Sequence, residues 1–297
     1  MEKNFLTPGE IIKVTIDTGI KKSNLPFKNC MLLGILAGLF IGLGGLGNIL
    51  ISQTLTDPGV SKFAGACIFP IGLMLVVVCG AELFTGNNLM TLSILEKKIT
   101  YKSLFKNWSV VYIGNFIGSI LLVLAIFLSN TLSQSAIEKV VNIAQSKVEL
   151  TFIEALIKGI LCNIMVVLAV LFATAGKDIV SKVFACWFPI MLFVLCGFEH
   201  SIANMFFIPM GMILGAKITI VQLLFNLIVV TFGNIIGGAI IIPYIYHSCY
   251  VKKWEKMLEI LKTLIDISTF FKVSSMVLYI VILFLIHYYS ICIIFNG

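Results

Sequence analysis

The sequence predicts an all-α integral membrane protein of six spans, arranged as two inverted three-span repeats, each with one broken helix. Three observations predict it. Of 297 residues, 59% are hydrophobic and only 12% charged, with a mean hydropathy of +1.07. Soluble domains carry roughly a quarter charged residues, so these values exclude a soluble enzyme, a disordered chain and a secreted disulfide scaffold. Lysines alternate between loops in the manner of a multi-pass protein, and three residue patterns recur in the same order along the chain.

Residues 1–28 form a polar, lysine-bearing N-terminal amphipathic segment without a signal-peptide core. A helical span needs about 20 mainly apolar residues. Runs of that kind occupy 29–50, 108–129, 152–175 and 220–246. Two more, 62–95 and 182–214, exceed one crossing and are interrupted near the middle. Together they make a membrane domain over 29–250, with repeats over 29–129 and 152–246. The tail, 251–297, joins an amphipathic stretch bearing Trp254, Leu258, Leu261 and Ile265 to an apolar run at 273–295. That run is long enough for an extra C-terminal membrane helix, and a course along the bilayer or against a neighbouring subunit fits the same composition.

Every basic residue is lysine. Without arginine there is no bidentate clamp for carboxylate or phosphate, and short lysine loops between apolar runs argue against a nucleic-acid partner. Lysines mark cytoplasmic loops. Sixteen fall before the first span and in alternate loops, and five, Lys62, Lys139, Lys147, Lys158 and Lys217, fall in the others. The N-terminus and residue 252 are therefore expected in the cytoplasm, in a multi-pass protein of the inner (plasma) membrane. The eight cysteines sit mostly in apolar runs with no CxxC spacing and read as packing residues. No cofactor or metal is expected.

The repeat rests on three matches. Val60-Ser61-Lys62 with Phe69-Pro70 recurs as Val180-Ser181-Lys182 with Phe188-Pro189. Cys79-Gly80-Ala81-Glu82 with Asn87 recurs as Cys196-Gly197-Phe198-Glu199 with Asn204, and Gly114-Asn115 with Gly118 as Gly233-Asn234 with Gly237. Three spans per repeat is an odd number, so the second repeat is inserted upside down. Inverted repeats characterise channels and transporters, whose path lies at the repeat interface.

Glu82 is the one charged residue from Phe63 to Leu95 and Glu199 the one formally charged residue from Val183 to Ala216, and both sit at the interruption. An intramembrane carboxylate marks a function or a hydrogen-bonded joint. The joint is favoured, with the carboxylates accepting backbone N–H groups freed by the break. Asn87 and Asn204, five residues on, suit N-caps of a second half-helix, while Gly80, Gly86 and Gly197 permit unusual backbone angles. Two half-helix N-termini then direct their positive ends to one midplane region. That suits an anion, and equally an aquaporin-like neutral-solute pore. His200 stands where the first repeat has Leu83. It is the titratable side chain near neutrality in this region and is expected to face the path. His247 and His287 lie towards the tail.

At these residues the sequence resembles the formate–nitrite transporter family. The run Val77-Val78-Cys79-Gly80-Ala81-Glu82-Leu83-Phe84-Thr85-Gly86 matches one family signature, and Gly159-Ile160-Leu161-Cys162-Asn163 with Val166, Leu168 and Ala169 a second. Gly197-Phe198-Glu199-His200-Ser201-Ile202-Ala203-Asn204-Met205-Phe206 is close to the formate-channel form of a third, and Lys106-Asn107-Trp108 with Tyr112-Ile113-Gly114-Asn115 follows the pattern. The resemblance implies a homopentamer in the lipid bilayer with one pore per subunit. It places Leu73 and Phe193 at a cytoplasmic constriction with Phe69 nearby, Phe84 at a second, and Thr85 on the loop. It places His200 and Asn163 between them, Val166 on the wall and Lys147 at the outer vestibule. The segment around Pro8, Glu10 and Gly19 corresponds to one linked with pH-dependent gating.

The implied function is a channel for small monovalent weak-acid anions, formate first, with a proton neutralising the anion so that it crosses apolar rings. Hydrosulfide or nitrite is the alternative within the family. The missing NPA triplets and filter arginine count against a neutral-solute pore. The missing HExxH spacing, metal cluster or nucleophile constellation counts against an intramembrane enzyme.

Overall fold

Capping decides where most helices begin, and glycine decides how closely they pack. The computed structural model describes residues 4–251, so the expectations for the tail beyond Val251 lie outside the described residues. Thr7 donates its backbone N–H to the Glu10 carboxylate at 2.8 Å and opens α1, Pro8–Ser23. Helix α2, Phe27–Ser52, is the first span. The second is broken into α3, Pro58–Ile68, and α4, Ile71–Cys79, then α5, Phe84–Asn87, a tight turn over Asn88–Met90, and α6, Thr91–Leu95. Helix α7, Tyr101–Ser129, begins at the Thr100 cap, and the amphipathic α8, Gln134–Val148, begins at the Ser133 cap.

The second half repeats this order. Helix α9, Phe152–Ala175, opens with a Thr151–Glu154 capping box. Asp178 caps α10, Ile179–Cys196. The Ser181 hydroxyl and backbone N–H hold that exposed carboxyl below its usual range. After the second break comes α11, Ser201–Ile213, then α12, Ile220–Ile235, a wider π-helical turn over Ile236–Ile241, and α13, Ile242–Tyr250. No strand occurs among the described residues, where Phe5 and Gly176 share one isolated bridge. Among the described residues, six helical segments are long and apolar enough to cross a membrane, in the order the hydropathy runs predict.

Both breaks carry the expected left-handed glycine, Gly80 at φ 79° and Gly197 at φ 72°. A side chain at either would be strained. Gly86 does not share this role, because it lies inside α5. The equivalent prolines also differ: Pro70 separates α3 from α4, whereas Pro189 lies within a continuous α10.

Helices α2 and α7 meet backbone to backbone. A Cβ on Gly38 would overlap the Asn115 carbonyl, and one on Gly118 the Ile35 carbonyl. In lipid such close approach is a main source of helix association. Gly118→Leu is therefore expected to cost about 3 kcal/mol, the upper end of overpacking penalties, because backbone atoms have no rotamer to move to. Thermal unfolding in detergent checks it, and an unchanged melting temperature would refute this packing.

Candidate functional site

Two matched hydrogen-bond networks brace the breaks. In the first, Glu82 accepts Lys22 Nζ from α1 at 2.5 Å and Asn87 Nδ2 at 2.7 Å. Asn87 Nδ2 also reaches Asn107 Oδ1 at 2.9 Å, and Asn107 Nδ2 reaches the Lys22 carbonyl at 3.2 Å. In the second, both Glu199 oxygens accept Lys147 Nζ from α8 at 3.0 Å, and Oε2 accepts Asn204 Nδ2 at 2.7 Å. Asn204 Nδ2 reaches Asn226 Oδ1 at 2.8 Å, and Asn226 Nδ2 reaches the Lys147 carbonyl at 2.7 Å. Residue for residue, the halves are equivalent, although Lys22 meets one carboxylate oxygen and Lys147 both.

The freed backbone groups are met by a second matched pair. Asn115 Oδ1 accepts Phe84 N–H at 3.0 Å, while its Nδ2 donates to the carbonyls of Gly34 and Glu82. Asn234 Oδ1 accepts Ser201 N–H at 2.9 Å, and its Nδ2 donates to the carbonyls of Gly159 and Glu199. Glu82 and Glu199 donate their own backbone N–H to the Leu33 and Lys158 carbonyls.

These observations place the joints where the sequence does and correct how they work. The carboxylates bind lysine and asparagine side chains, and the broken backbone is satisfied by Asn115, Asn234 and neighbouring carbonyls. Asn87 and Asn204 are not N-caps. Each lies a turn inside its helix, and the cap positions are Leu83 and His200. Nor are the two half-helices equal. Helix α11 runs 13 residues without interruption, whereas the helical stretch from α5 to α6 tightens over Asn88–Met90. Lys147 is neutralised by Glu199 and sits 5.5 Å over the Phe207 ring, so it is no free vestibule cation.

His200 joins the two breaks. Its Nε2 lies 2.9 Å from Thr85 Oγ1, and both residues are buried. Nδ1 accepts the Ala203 N–H at 3.1 Å and caps α11. A backbone N–H only donates, so Nδ1 carries a lone pair and the neutral ring bears its proton on Nε2. His200 therefore donates to Thr85. The imidazole also stacks on Phe193, with centroids 6.0 Å apart.

The remaining expected residues fall into two groups. Phe193 meets Phe69 edge-on at 5.7 Å, and Phe69 stacks on Phe207, the ring beneath Lys147. Leu73 instead borders a cavity of about 390 Å³ shared with Lys22, Glu82, Leu83, Gly86 and Val170. Phe193 packs on Phe69, one helical turn from Leu73. Phe84 lies edge-on to Trp108 and Tyr112, at 5.8 and 5.0 Å. Asn163 and Val166 are buried on α9, where Asn163 Nδ2 donates to Asn88 Oδ1 at 2.8 Å and the Asn234 carbonyl at 2.7 Å.

Sequence reading missed Lys22, Asn107, Asn226 and Asn88 as members of the site. Asn87 to Asn107 and Asn204 to Asn226 are similarly spaced, at 20 and 22 residues. Extending the repeat match by one asparagine would have found that pair. No three His, Cys, Asp or Glu side chains gather as a metal site among the described residues.

With this geometry in hand, comparison with known proteins is direct. The family model described as formate/nitrite transporter matches residues 9–248. The chain is 40% identical over 256 residues to the protein of Bacillus subtilis (strain 168) called Uncharacterized transporter YrhG, covering 84% of this chain and 95% of that one. It is 36% identical over 274 residues to formate channel FocA of Escherichia coli (strain K12), covering 84% and 96%. Among solved structures, one titled "Pentameric formate channel with formate bound" superposes with a TM-score of 0.69 at 34% identity, covering 76% of this chain and 98% of that one. Six apolar spans, two glycine breaks and these matches lead to one conclusion: the chain is a multi-pass membrane protein that belongs to the formate/nitrite transporter family.

Proposed function

We propose that the protein is a channel for small monovalent weak-acid anions, with formate as its first substrate. One observation carries the reading: the Thr85–His200 hydrogen bond, buried where the two breaks meet. Because Nε2–H is donated to Thr85 Oγ1, the Thr85 hydroxyl proton is left to be donated to an anion in the path. His200 thus polarises the substrate through Thr85, and the proton that neutralises the anion comes from the aqueous side, because a neutral ring has no acid proton to give. Apolar walls border this point. Phe69 and Phe193 close the path on the Lys147 side, Leu73 with Leu83 and Phe84 narrows it on the Lys22 side, and Val166 lines the wall between. A bare anion pays heavily to cross such rings, and the protonated acid does not.

The working unit is a homopentamer, each subunit carrying its own path through the lipid bilayer of the plasma membrane. The related structure's pentameric title supports this assembly. The lysine distribution supports a cytoplasmic N-terminus.

Radiolabelled formate uptake into proteoliposomes, from about pH 5 to about pH 8 and across the histidine range, tests the proposal. Saturable uptake that rises toward acid pH is expected, with nitrite and hydrosulfide as competitors. Uptake no greater than that of empty liposomes would remove formate and move the other two anions to first place.

A further inference from the structure

Asn88 is absorbed neither by the bracing networks nor by the expected site, yet it is completely buried at the contact between the two halves. Its Nδ2 donates to the Phe84 carbonyl at 3.1 Å, which fixes which end of the amide faces that way. Asn88 Oδ1 must then face Asn163, whose Nδ2 donates to it at 2.8 Å and to the Asn234 carbonyl at 2.7 Å. A backbone carbonyl only accepts, so the amide of Asn163 cannot be reversed. Both of its N–H bonds are used. Its Oδ1 is buried without a hydrogen-bond partner.

An unpartnered buried acceptor is destabilising, and one in the middle of a path calls for a visiting donor. The neighbours say where that donor comes from. Asn163 is tied through Asn88 to Phe84, beside Thr85, and through Asn234 to Ser201, beside His200. It therefore stands at the junction that the Thr85–His200 bond closes. Ser201 Oγ, on the same Asn234 anchor, is also buried and unpartnered. A bare anion brings no hydrogen to this junction. A protonated weak acid brings one donor and one acceptor.

We propose that Asn88 is a positioning residue. It holds Asn163 with the side-chain oxygen presented to the permeant, so that the centre accepts the O–H of the neutral acid while Thr85 donates to its other oxygen. This inference rests on the proposed function and adds its chemical selectivity: at its narrow centre the path recognises the acid and discriminates against the anion.

The test compares radiolabelled formate with nitrate, the anion of a strong acid, in proteoliposomes holding the full chain. Asn88→Leu removes one of the two acceptors that hold the Asn163 amide and leaves the Asn234 carbonyl as its single anchor, so one N–H is released to turn toward the path. It is expected to lower formate uptake about tenfold at acid pH, the worth of one hydrogen bond, and to flatten the pH profile while nitrate leakage holds or rises. An equal fall for both probes, or an unchanged pH profile, would show a merely structural role and overturn the proposal. A second measurement needs no variant. In a high-resolution structure of the wild type soaked in formate at acid pH, a ligand oxygen is expected within about 3 Å of Asn163 Oδ1, and its placement elsewhere would also overturn the proposal. Wild-type protein that moves no formate at any pH would instead sink the proposed function itself.

Discussion

Glu199→Leu is expected to destabilise the protein by about 3–5 kcal/mol, because it leaves Lys147 a buried cation with no counter-charge. Lys147 Nζ is held by both carboxylate oxygens at 3.0 Å, and Asn204 shares one of them. Two further variants separate charge from packing. Glu199→Gln keeps an acceptor for both neighbours and is expected to lose less than half as much. The pair Lys147→Met with Glu199→Leu removes both charges and is expected to recover most of the loss, since directly paired residues are non-additive. Thermal unfolding in detergent reads all three, and additive losses in the double variant would contradict a buried ion pair. The matching change Glu82→Leu is expected to cost less, because the Lys22 side chain is 24% exposed against 14% for Lys147 and finds water more easily.

The second large effect is on transport. His200→Asn is expected to lower formate uptake by about tenfold to a hundredfold, with the melting temperature nearly unchanged. Asparagine is a good N-cap and accepts the Ala203 N–H in place of the ring. It is too short to reproduce the Nε2 bond to Thr85, so the donor chain is lost, with the stack on Phe193, while the cap is kept. His200→Ala removes the cap as well and is expected to add about 1 kcal/mol of instability. Uptake and pH dependence that survive His200→Asn would remove histidine from the mechanism.

Much of the architecture was legible because membrane physics writes it in long words. Six apolar runs, two interruptions, two left-handed glycines and two intramembrane carboxylates are all forced by the cost of exposing polar groups to lipid. What escaped was contact. Nothing local to Lys22 distinguishes it from Lys21, yet only Lys22 reaches Glu82, 60 residues on. Asn88 was hidden beside Asn87, where the repeat match drew attention to its neighbour. The role of Asn87 and Asn204 was misread for a related reason: asparagine after a glycine break has the composition of a cap, and only the geometry shows its side chain reaching back to the carboxylate. The inequality of α5 and α11 has no marker in the residues quoted for the repeat, which look alike on both sides.

The two ion pairs also carry a consequence for how the chain is made. In each half the lysine is synthesised before its glutamate, Lys22 ahead of Glu82 and Lys147 ahead of Glu199. Synthesis is vectorial, and earlier segments settle first. When each carboxylate leaves the ribosome, its cation is therefore already on an amphipathic helix that precedes the first span of that half. A negative charge is never asked to enter lipid in search of a partner still to be translated. Biogenesis can thus treat the protein as two successive instalments, each an amphipathic helix followed by three spans and each able to close its own electrostatic account, and transposing α8 to the far side of the second half would remove that order.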